Sequence, residues 1–336
     1  RHGAVSREIW HPMWPGRPVD EVPIGSVTNG VHLPSWMTES MAELLDPILG
    51  PDWERQLPLE EDWDRVRDLP DARVWDSHRR LKKELLSFCQ EQARQRWISL
   101  WKEAAHIVGA GTLLTSAPLT IGFARRFASY KRGALLFRDP ERLARLLTDL
   151  RRPVQLIFAG KAHPADREGQ EVVRRIVSLT QGEFHGKLVF IEDYDIGVGR
   201  ALVQGCDVWL NNPRKPQEAS GTSGQKVPIN GGINVSILDG WWAEGFREDN
   251  GWAIGDGTVD PDTGAQDHKD AEALYRALME GVIPRFYDRD DKGVPREWVS
   301  TMKDAIESVV APFSAHRMVR DSVLDAYLTV AEKRER

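Results

Sequence analysis

The chain has 336 residues, 41% of them hydrophobic, and a formal net charge of −6, which fits one large or two ordinary domains. Acidic and basic residues are interspersed, so the sequence offers no basic field for nucleic acid or for an anionic membrane. Thirteen tryptophans are a high number, and we expect most of them to fill the core.

The two cysteines, Cys89 and Cys206, stand far apart and lack a second pair of metal ligands. This spacing argues against a disulfide framework and against a zinc site, and it is typical of a reducing environment. No run of about eighteen apolar residues occurs, and the first residues lack the layout of a secretory signal. We therefore expect a cytoplasmic protein without a metal site or a membrane span.

The first third of the chain predicts a loop followed by helices. Residues 22–36, VPIGSVTNGVHLPSW, lie in a stretch rich in proline and glycine and predict an ordered loop. Helical periodicity follows at Met41–Leu49 and at Val74–Ala105, where the charged faces are most simply solvated.

Short apolar, often β-branched runs then alternate with helical stretches. The predicted strands are Leu119–Phe123, Val154–Ala159, Lys187–Ile191, Asp207–Leu210 and Ile233–Leu238, and the predicted helices lie near Lys131–Leu147, Pro164–Thr180 and Val198–Gly205. This alternation predicts an α/β fold with a parallel, Rossmann-like sheet covered on both faces. Its ligands should sit beyond the carboxyl ends of the strands. The stretch around Gly255 predicts a polar loop, and Val299–Glu332 predicts further helix.

The segment Glu218–Lys226, EASGTSGQK, places a lysine after a glycine-rich loop between two apolar runs. Free backbone amides around Gly221 and Gly224 can form a nest for a phosphate, and a lysine held out of water can become a nucleophilic amine. A Walker P-loop is excluded, because Lys226 is followed by Val227 rather than by Ser or Thr. Taken alone, such a loop is more often a turn with a solvated lysine.

A second motif, GFARRFASYKR, follows the first predicted strand. Its four cations, Arg125, Arg126, Lys131 and Arg132, lie where guanidinium groups and helix amides can converge on an anion. This pattern predicts a phosphate site. A solvated charged turn explains the motif about equally well when it is considered alone.

The run Asn211–Trp242 resembles the cofactor-lysine region of the glycogen/starch (α-glucan) phosphorylases, in particular their shorter bacterial branch. In that family this lysine carries pyridoxal phosphate as a Schiff base, which implies Lys226. The resemblance further implies Glu218, Ala219 and Ser220 at the sugar, and Gly221, Thr222 and Ser223 at the cofactor phosphate.

The other motifs match the same family in order along the chain. The resemblance implies that Arg126 and Lys131 bind inorganic phosphate, and that Arg125 replaces a lysine at the cofactor phosphate. TNGVHLPSW implies Asn29 at the sugar and Trp36 near the cofactor, and IEDY implies Tyr194 in the pyridoxal pocket. Each of these residues, taken singly, is more often a turn or a core aromatic. His32 and His163 are most simply surface or structural histidines.

The resemblance implies a two-lobed fold of the glycosyltransferase-B type, with this chain supplying the cofactor lobe. The opening segment HGAVSREIW resembles an internal part of the family, so we expect a carboxy-terminal fragment that is inactive by itself and lacks most of the amino-terminal lobe. The implied units are residues 1–29 (tail of the amino-terminal lobe and sugar loop), 30–115 (helical lead-in), 116–298 (cofactor and phosphate domain) and 299–336 (carboxy-terminal helices).

The predicted function is phosphorolysis of an α-1,4-glucan to glucose 1-phosphate with retention. Hydrolysis of glycosides normally needs two placed carboxylates, whereas these motifs supply one, Glu218, among cations. The partners would be a glucan and inorganic phosphate, and a homodimer is one candidate for the oligomeric state. Two alternatives stay open: a nucleotide-sugar-dependent glucan synthase of the same fold, for which the cofactor lysine has no use, and a non-catalytic fragment.

Overall fold

Six parallel strands form one sheet in the described part of the chain. The computed structural model describes residues 2–51, 53, 60–99, 114–328 and 330. The strands are β1 Leu119–Ala124, β2 Val154–Ala159, β3 Leu188–Ile191, β4 Val208–Asn211, β5 Ile233–Ile237 and β6 Gly251–Ile254. Their order is β3-β2-β1-β4-β5-β6, with Leu119 opposite Val154 and Val208 opposite Ile233. This is the doubly wound order, which reverses between β1 and β4.

Burial on both faces explains the composition of the strands. Every residue of β1, β2, β4 and β5 is buried, so apolar residues predominate in these strands, and the few polar ones, such as Asn234 and Ser236 of β5, are buried as well. Two buried polar residues pair with each other, since Gln155 Nε2 donates to Thr120 Oγ1 at 2.8 Å. The predicted α/β class with a parallel sheet is confirmed.

The sequence located five of the six strands to within one residue at each end. It missed β6, because GWAI is only four residues long and begins with glycine. This strand pairs with β5 and lies at one edge of the sheet.

Helices cover the sheet and both of its ends. They are α1 His2–Trp10, α2 Leu33–Trp36, α3 Glu39–Leu49, α4 Asp71–Ser99, α5 Pro140–Thr148, α6 Arg167–Gln181, α7 Ile196–Gly205, α8 Trp242–Gly245, α9 Thr263–Arg276, α10 Ile283–Tyr287, α11 Arg296–Val310 and α12 Ala315–Ser322. A π-helical segment, Ala277–Val282, joins α9 to α10, and another, Val323–Leu328, follows α12. None of the helices within the described ranges combines the length and apolar character that a membrane crossing needs.

Several helix predictions need correction. The helix predicted from Lys131 begins only at Pro140, because Arg132 has a left-handed φ of 49° and the side chain of Asp139 caps α5. The predicted polar loop ends at Asp262, whose carboxylate caps α9. Helix α1 was not predicted at all.

The remaining helix predictions hold with shifted limits. Helices α3, α4 and α7 begin two or three residues before the predicted start, and α6 begins three residues after it. The long helix ends at Ser99 in the described chain, so the predicted part from 100 to 105 lies outside the described residues. The predicted terminal helix is broken at 311–314, between α11 and α12, and its residues 329, 331 and 332 also lie outside.

Tryptophans fill much of the core, as expected. Among the tryptophans whose burial the structure describes, seven are buried: Trp53, Trp63, Trp75, Trp209, Trp241, Trp242 and Trp298. One large apolar cluster joins the sheet to the helices before it and after it, which makes α3, α4 and α11 part of the same core as β1, β4 and β5.

The loop before α2 is attached to the turn between α11 and α12. Val31 N donates to Phe313 O, and Ala315 N donates to Val31 O, both at 2.8 Å. A Cβ on Gly30 would lie only 2.0 Å from Ser314 O, so position 30 requires glycine. The two segments therefore pack backbone to backbone.

Candidate active site

Polar residues gather at the carboxyl ends of β1 and β4, the two strands that flank the reversal of strand order. Arg125 and Arg126 follow β1, Asn211 ends β4, and Asn212 follows it. In open parallel sheets the crevice beyond such a reversal is the usual place for a ligand. The structure thus places the first cations of the GFARRFASYKR motif where the sequence predicted a site.

Glu218 lies on the crossover between β4 and β5, with only 5% of the residue exposed. Its Oε2 accepts a hydrogen bond from Lys131 Nζ, and Arg125 NH1 lies 3.6 Å from the same oxygen. The Glu218 N–H donates to Asp239 Oδ2 at 2.8 Å, which fixes the residue beside the end of β5. Three predicted site residues therefore meet in one group, a carboxylate flanked by two cations.

The guanidinium of Arg125 is buried and still has free donors. Its Nε and NH1 donate no hydrogen bond within the described residues. Burial lowers the pKa of Arg125, and the negative charge of Glu218 opposes that effect. Because buried donors normally have partners, this side chain fits an anion that supplies the missing acceptor oxygens.

The other two cations of the motif, Arg126 and Arg132, differ in exposure and in pairing. Arg126 is exposed and forms no ion pair with any residue that the structure describes. Arg132 is buried; its Nε donates to Asn212 O at 2.9 Å, and its NH1 donates to Asp270 Oδ2 at 2.7 Å and to Asp267 Oδ1 at 3.0 Å. The prediction that all four cations converge on an anion is wrong for Arg132, because its guanidinium is already saturated by the protein.

The saturated Arg132 has a structural consequence for its neighbour. Asn212 Nδ2 donates back to Arg132 O at 3.1 Å, and Arg214 N donates to Tyr130 O at 2.7 Å. These bonds join the loop after β1 to the loop after β4. Lys131 is thereby held beside Glu218.

The glycine-rich turn presents free backbone donors. Gly221 has φ +75°, and a Cβ there would lie 3.4 Å from Glu218 Cδ. Among the described residues, the amides of Gly221, Thr222 and Ser223 donate to no protein acceptor. Trp209 Nε1 donates to Ser223 Oγ at 3.3 Å and ties the turn to β4. Three consecutive free amides fit the predicted nest for a phosphate.

Lys226 lies further along the same crossover, against an aromatic ring. Its Nζ is 3.9 Å from the centroid of the Trp36 ring. No carboxylate of the described chain forms an ion pair with it, and burial lowers the pKa of Lys226. The structure therefore brings two predicted cofactor residues together, as a desolvated amine on an indole face.

The remaining predicted residues border these groups. Tyr194 is half-buried near the positive charge of Arg125, and burial raises the pKa of its phenol. Asn29 is exposed, and its carbonyl accepts from Gln225 Nε2 at 3.3 Å, one residue before Lys226. Ala219 is exposed, and Ser220 O accepts from Trp241 N at 2.8 Å. None of the polar contacts in the described chain joins Lys226 directly to the group around Glu218.

A family model for carbohydrate phosphorylases matches residues 10–249. The chain belongs to this family. The resemblance drawn from its motifs is therefore confirmed for the family as a whole.

Phosphorylase relatives match along nearly the whole chain. The glycogen phosphorylase of Aquifex aeolicus is 42% identical over 334 residues, which cover 99% of this chain and 47% of the relative. The maltodextrin phosphorylase of Thermococcus litoralis is 41% identical over 96% of this chain and 38% of its own length. The glycogen phosphorylase of Mycobacterium tuberculosis is 40% identical, covering 98% and 38% respectively. The chain thus spans about half, or less, of the length of these phosphorylases.

Sequence reasoning overlooked residues that position the site of this phosphorylase chain. Asp239 fixes the backbone of Glu218, and Asn230 donates to the backbone carbonyls of both Trp36 and Lys226. Arg132, which the sequence assigned to anion binding, instead fixes the loop of Lys131. Asn230 and Asp239 stand next to glycines in the sequence, but no pattern marks them, since their partners are distant along the chain.

Two histidines and one cavity lie outside this group. His32 and His163 are exposed and bond locally, to Ser35 Oγ at 2.8 Å and to Ala165 N at 3.1 Å, in line with the surface role predicted for them. A cavity of about 580 Å³ opens behind the loop that carries Thr28. No predicted site residue lines it, and its Arg247 and Glu307 pair with each other at 3.4 Å.

Proposed function

We propose that this chain carries the cofactor and phosphate site of an α-1,4-glucan phosphorylase. The enzyme would release glucose 1-phosphate from the non-reducing end of glycogen or maltodextrin, with retention of configuration. The observation that carries the proposal is the crossover between β4 and β5. It combines a desolvated lysine with three consecutive backbone amides, and within the described ranges the lysine has no acidic partner and the amides have no acceptor. Relatives named glycogen and maltodextrin phosphorylase support the choice of substrate.

The residues present fit pyridoxal phosphate. Lys226 would hold its aldehyde carbon, and the free amides of Gly221–Ser223 together with the unpartnered donors of Arg125 would hold its phosphate. Trp36 and Tyr194 supply aromatic surface for the ring. When bound, this cofactor supplies a phosphate that supports inorganic phosphate as proton donor to the leaving glucan oxygen.

The cations at the end of β1 bind the second substrate. Arg126 is exposed and unpaired among the described residues, so its guanidinium is available to inorganic phosphate. Lys131 would share the same phosphate and hold its negative charge as bond cleavage proceeds. Both groups act by electrostatic stabilisation, since neither has to give up a proton.

The sugar is held by the group around Glu218. A buried carboxylate can accept two hydroxyl hydrogen bonds from a hexose, and two cations lie beside this one. The backbone of Ala219 and Ser220 lies next to this carboxylate, and Asn29 approaches from the loop that is attached to the carboxy-terminal segment. These contacts would orient the sugar.

The family match favours a phosphorylase over a nucleotide-sugar-dependent glucan synthase, which would leave Lys226 without a role. A cytoplasmic location belongs to the same proposal. Its support is the state of the two cysteines, since Cys89 and Cys206 are both buried and unpaired.

The test is to identify the lysine that takes the cofactor. The purified chain is incubated with pyridoxal phosphate, reduced with borohydride, digested and mapped by mass spectrometry. We expect the pyridoxyl group on Lys226, and we expect Lys226→Ala to lose it. Lys269→Ala is the matched control, since this lysine is half exposed and pairs with Asp256. A label on Lys215 or Lys131 in place of Lys226, or no label at all, would overturn the proposal.

A further inference from the structure

One buried asparagine joins the segment that carries the Trp36 indole to the turn that carries the Lys226 amine. Asn230 has no exposed surface. Its Nδ2 donates to Trp36 O at 3.0 Å and to Lys226 O at 3.3 Å, and its Oδ1 accepts from Thr38 N at 3.1 Å. Both donors of the side-chain NH₂ group are therefore used, and they hold two distant parts of the chain together.

The backbone of Asn230 is itself fixed from below. Its carbonyl accepts from His78 Nδ1 at 2.8 Å, and its N–H donates to Val227 O at 3.1 Å. The other nitrogen of His78 lies 3.1 Å from Asp207 Oδ1, at the amino end of β4. The side-chain amide of Asn230 thus projects from a rigid, buried frame toward the lysine turn.

Another contact holds Trp36 but not the lysine. Gln204 Nε2, on α7, also donates to Trp36 O, at 3.2 Å. Gln204 makes no contact with the Lys226 turn among the hydrogen bonds of the described chain. The amide of Asn230 is what fixes the indole and the turn relative to each other.

We propose that Asn230 is a positioning residue that holds the Lys226 amine against the Trp36 indole, in one orientation and away from water. The role deepens the function proposed above and rests on it only for the identity of the carbonyl compound that Lys226 takes up. The contact of 3.9 Å between Nζ and the ring centroid is the geometry that the bridge maintains. Without the bridge, the turn and the indole can separate, and water then favours the ammonium form of the lysine.

The experiment is competitive trace acetylation of the wild-type chain and of Asn230→Ala over a pH series, with each lysine followed by peptide mass spectrometry. Lys269 serves as the exposed internal reference. In the wild type, we expect Lys226 to become reactive at lower pH than Lys269. In Asn230→Ala, the midpoint of Lys226 should move up toward that of Lys269, and labelling at neutral pH should fall about two- to tenfold, the factor for one buried hydrogen bond.

Asn250→Ala is the matched control. Asn250 is equally buried, and its Nδ2 donates to Gly245 O and to Ser308 Oγ, both at 2.8 Å, away from Lys226. This variant loses a similar bridge and should leave the Lys226 profile unchanged. If Asn230→Ala does not fold, Asn230→Ser is used, because its hydroxyl is too short to reach both carbonyls.

The possible outcomes separate this inference from the proposed function. An unchanged Lys226 profile in a folded Asn230 variant would overturn the positioning role, even if pyridoxal phosphate still labels Lys226. A shifted profile with no pyridoxyl label in the wild type would instead support the positioning role and contradict the proposed cofactor. An equal shift in Asn250→Ala would also overturn the role, because it would show a general loosening of the fold.

Discussion

The buried polar groups at the amino ends of β1 and β4 differ in their hydrogen bonding from those at the carboxyl ends. At the amino end, Asp207 accepts hydrogen bonds from Lys82 Nζ at 2.5 Å, from Thr120 N at 2.7 Å and from His78 Nε2 at 3.1 Å. Lys82 Nζ also donates to Pro118 O at 2.5 Å. This end is a closed network in which the protein supplies every partner named.

At the carboxyl end, polar atoms that are just as buried are left over. Among the described residues, Arg125 Nε and NH1 have no acceptor, and the Oδ1 atoms of Asn211 and Asn212 have no hydrogen-bond donor. The difference shows that burial and charge alone do not identify a functional group. What separates a site from a structural network is whether the protein completes the hydrogen bonds or leaves them for a ligand.

At the amino ends of β1 and β4, we expect the largest effect from Asp207→Ala. Removing this carboxylate leaves Lys82 buried without its counter-charge and takes a hydrogen-bond partner from His78, and breaking a buried pair in this way costs about 3–5 kcal/mol of unfolding free energy. Urea unfolding followed by circular dichroism measures the loss. Asp256→Ala, at an exposed carboxylate that pairs with Lys269, should keep the wild-type midpoint. Equal midpoints for the two variants would break the comparison.

At the carboxyl ends of these strands, a substitution should lower activity rather than stability. Arg126→Ala should leave the unfolding midpoint unchanged, yet lower phosphorolysis about a hundredfold, or about 3 kcal/mol, because a charged donor is lost at the transition state. The rate of glucose 1-phosphate release is measured against phosphate concentration, in an enzyme of its relatives' length that contains this chain. Arg138→Ala, at another exposed arginine, should keep the rate. Unchanged phosphate kinetics in Arg126→Ala would contradict the assignment.

Arg132 belongs to the same motif as Arg126, but the protein itself supplies the acceptors for its guanidinium. It therefore tests whether such a residue acts on stability or on activity. Arg132→Lys keeps the charge but loses the planar fork that reaches two backbone carbonyls and two carboxylates. We expect a loss of about 2 kcal/mol in unfolding free energy, the scale of hydrogen bonds to a charged group. Pyridoxyl labelling of Lys226 should persist, and its loss in a folded variant would count against a purely structural role.

The smallest effect is a pH dependence that belongs to the amino end. Burial opposes ionisation of Asp207, but the charge of Lys82 and the hydrogen bond from His78 outweigh it, so its pKa lies below the ordinary 3.8. The stability that comes from this lowered pKa is fully present above 3.8 and is lost as the pH falls through the folded value. Asp207→Asn should therefore flatten the acid arm of the stability curve by up to about 1.4 kcal/mol per pH unit. Parallel acid arms would show that Asp207 is not the group that titrates.

Much of the fold could be predicted from the sequence, because burial on both faces leaves a local signal. Val154–Ala159 is apolar except for Gln155, and its limits were predicted without error. The helix from Pro140 was misplaced, since its start depends on the left-handed turn at Arg132, which no local periodicity encodes.

The site was predictable only where its residues form a local motif. Lys226, Gly221 and Glu218 stand within nine positions of one another, so their pattern is visible in the sequence. Arg126 and Arg132 look alike there, because what separates them is Asp267, 135 residues after Arg132. Asn230 meets Trp36 across 194 residues, and a single asparagine before two glycines gives no sign of that contact.

The backbone of Val31 pairs with the turn at 313–315, so the two gene segments that encode them have to stay compatible with each other. The residue at position 30 must be glycine because Ser314 O is there, and Phe313 of that turn packs on Trp241 with the ring centroids 5.0 Å apart. A recombination event between homologous genes that falls between these stretches would give the loop of Asn29 a foreign partner. Chimeric enzymes should therefore remain functional mainly when both segments come from the same parent gene.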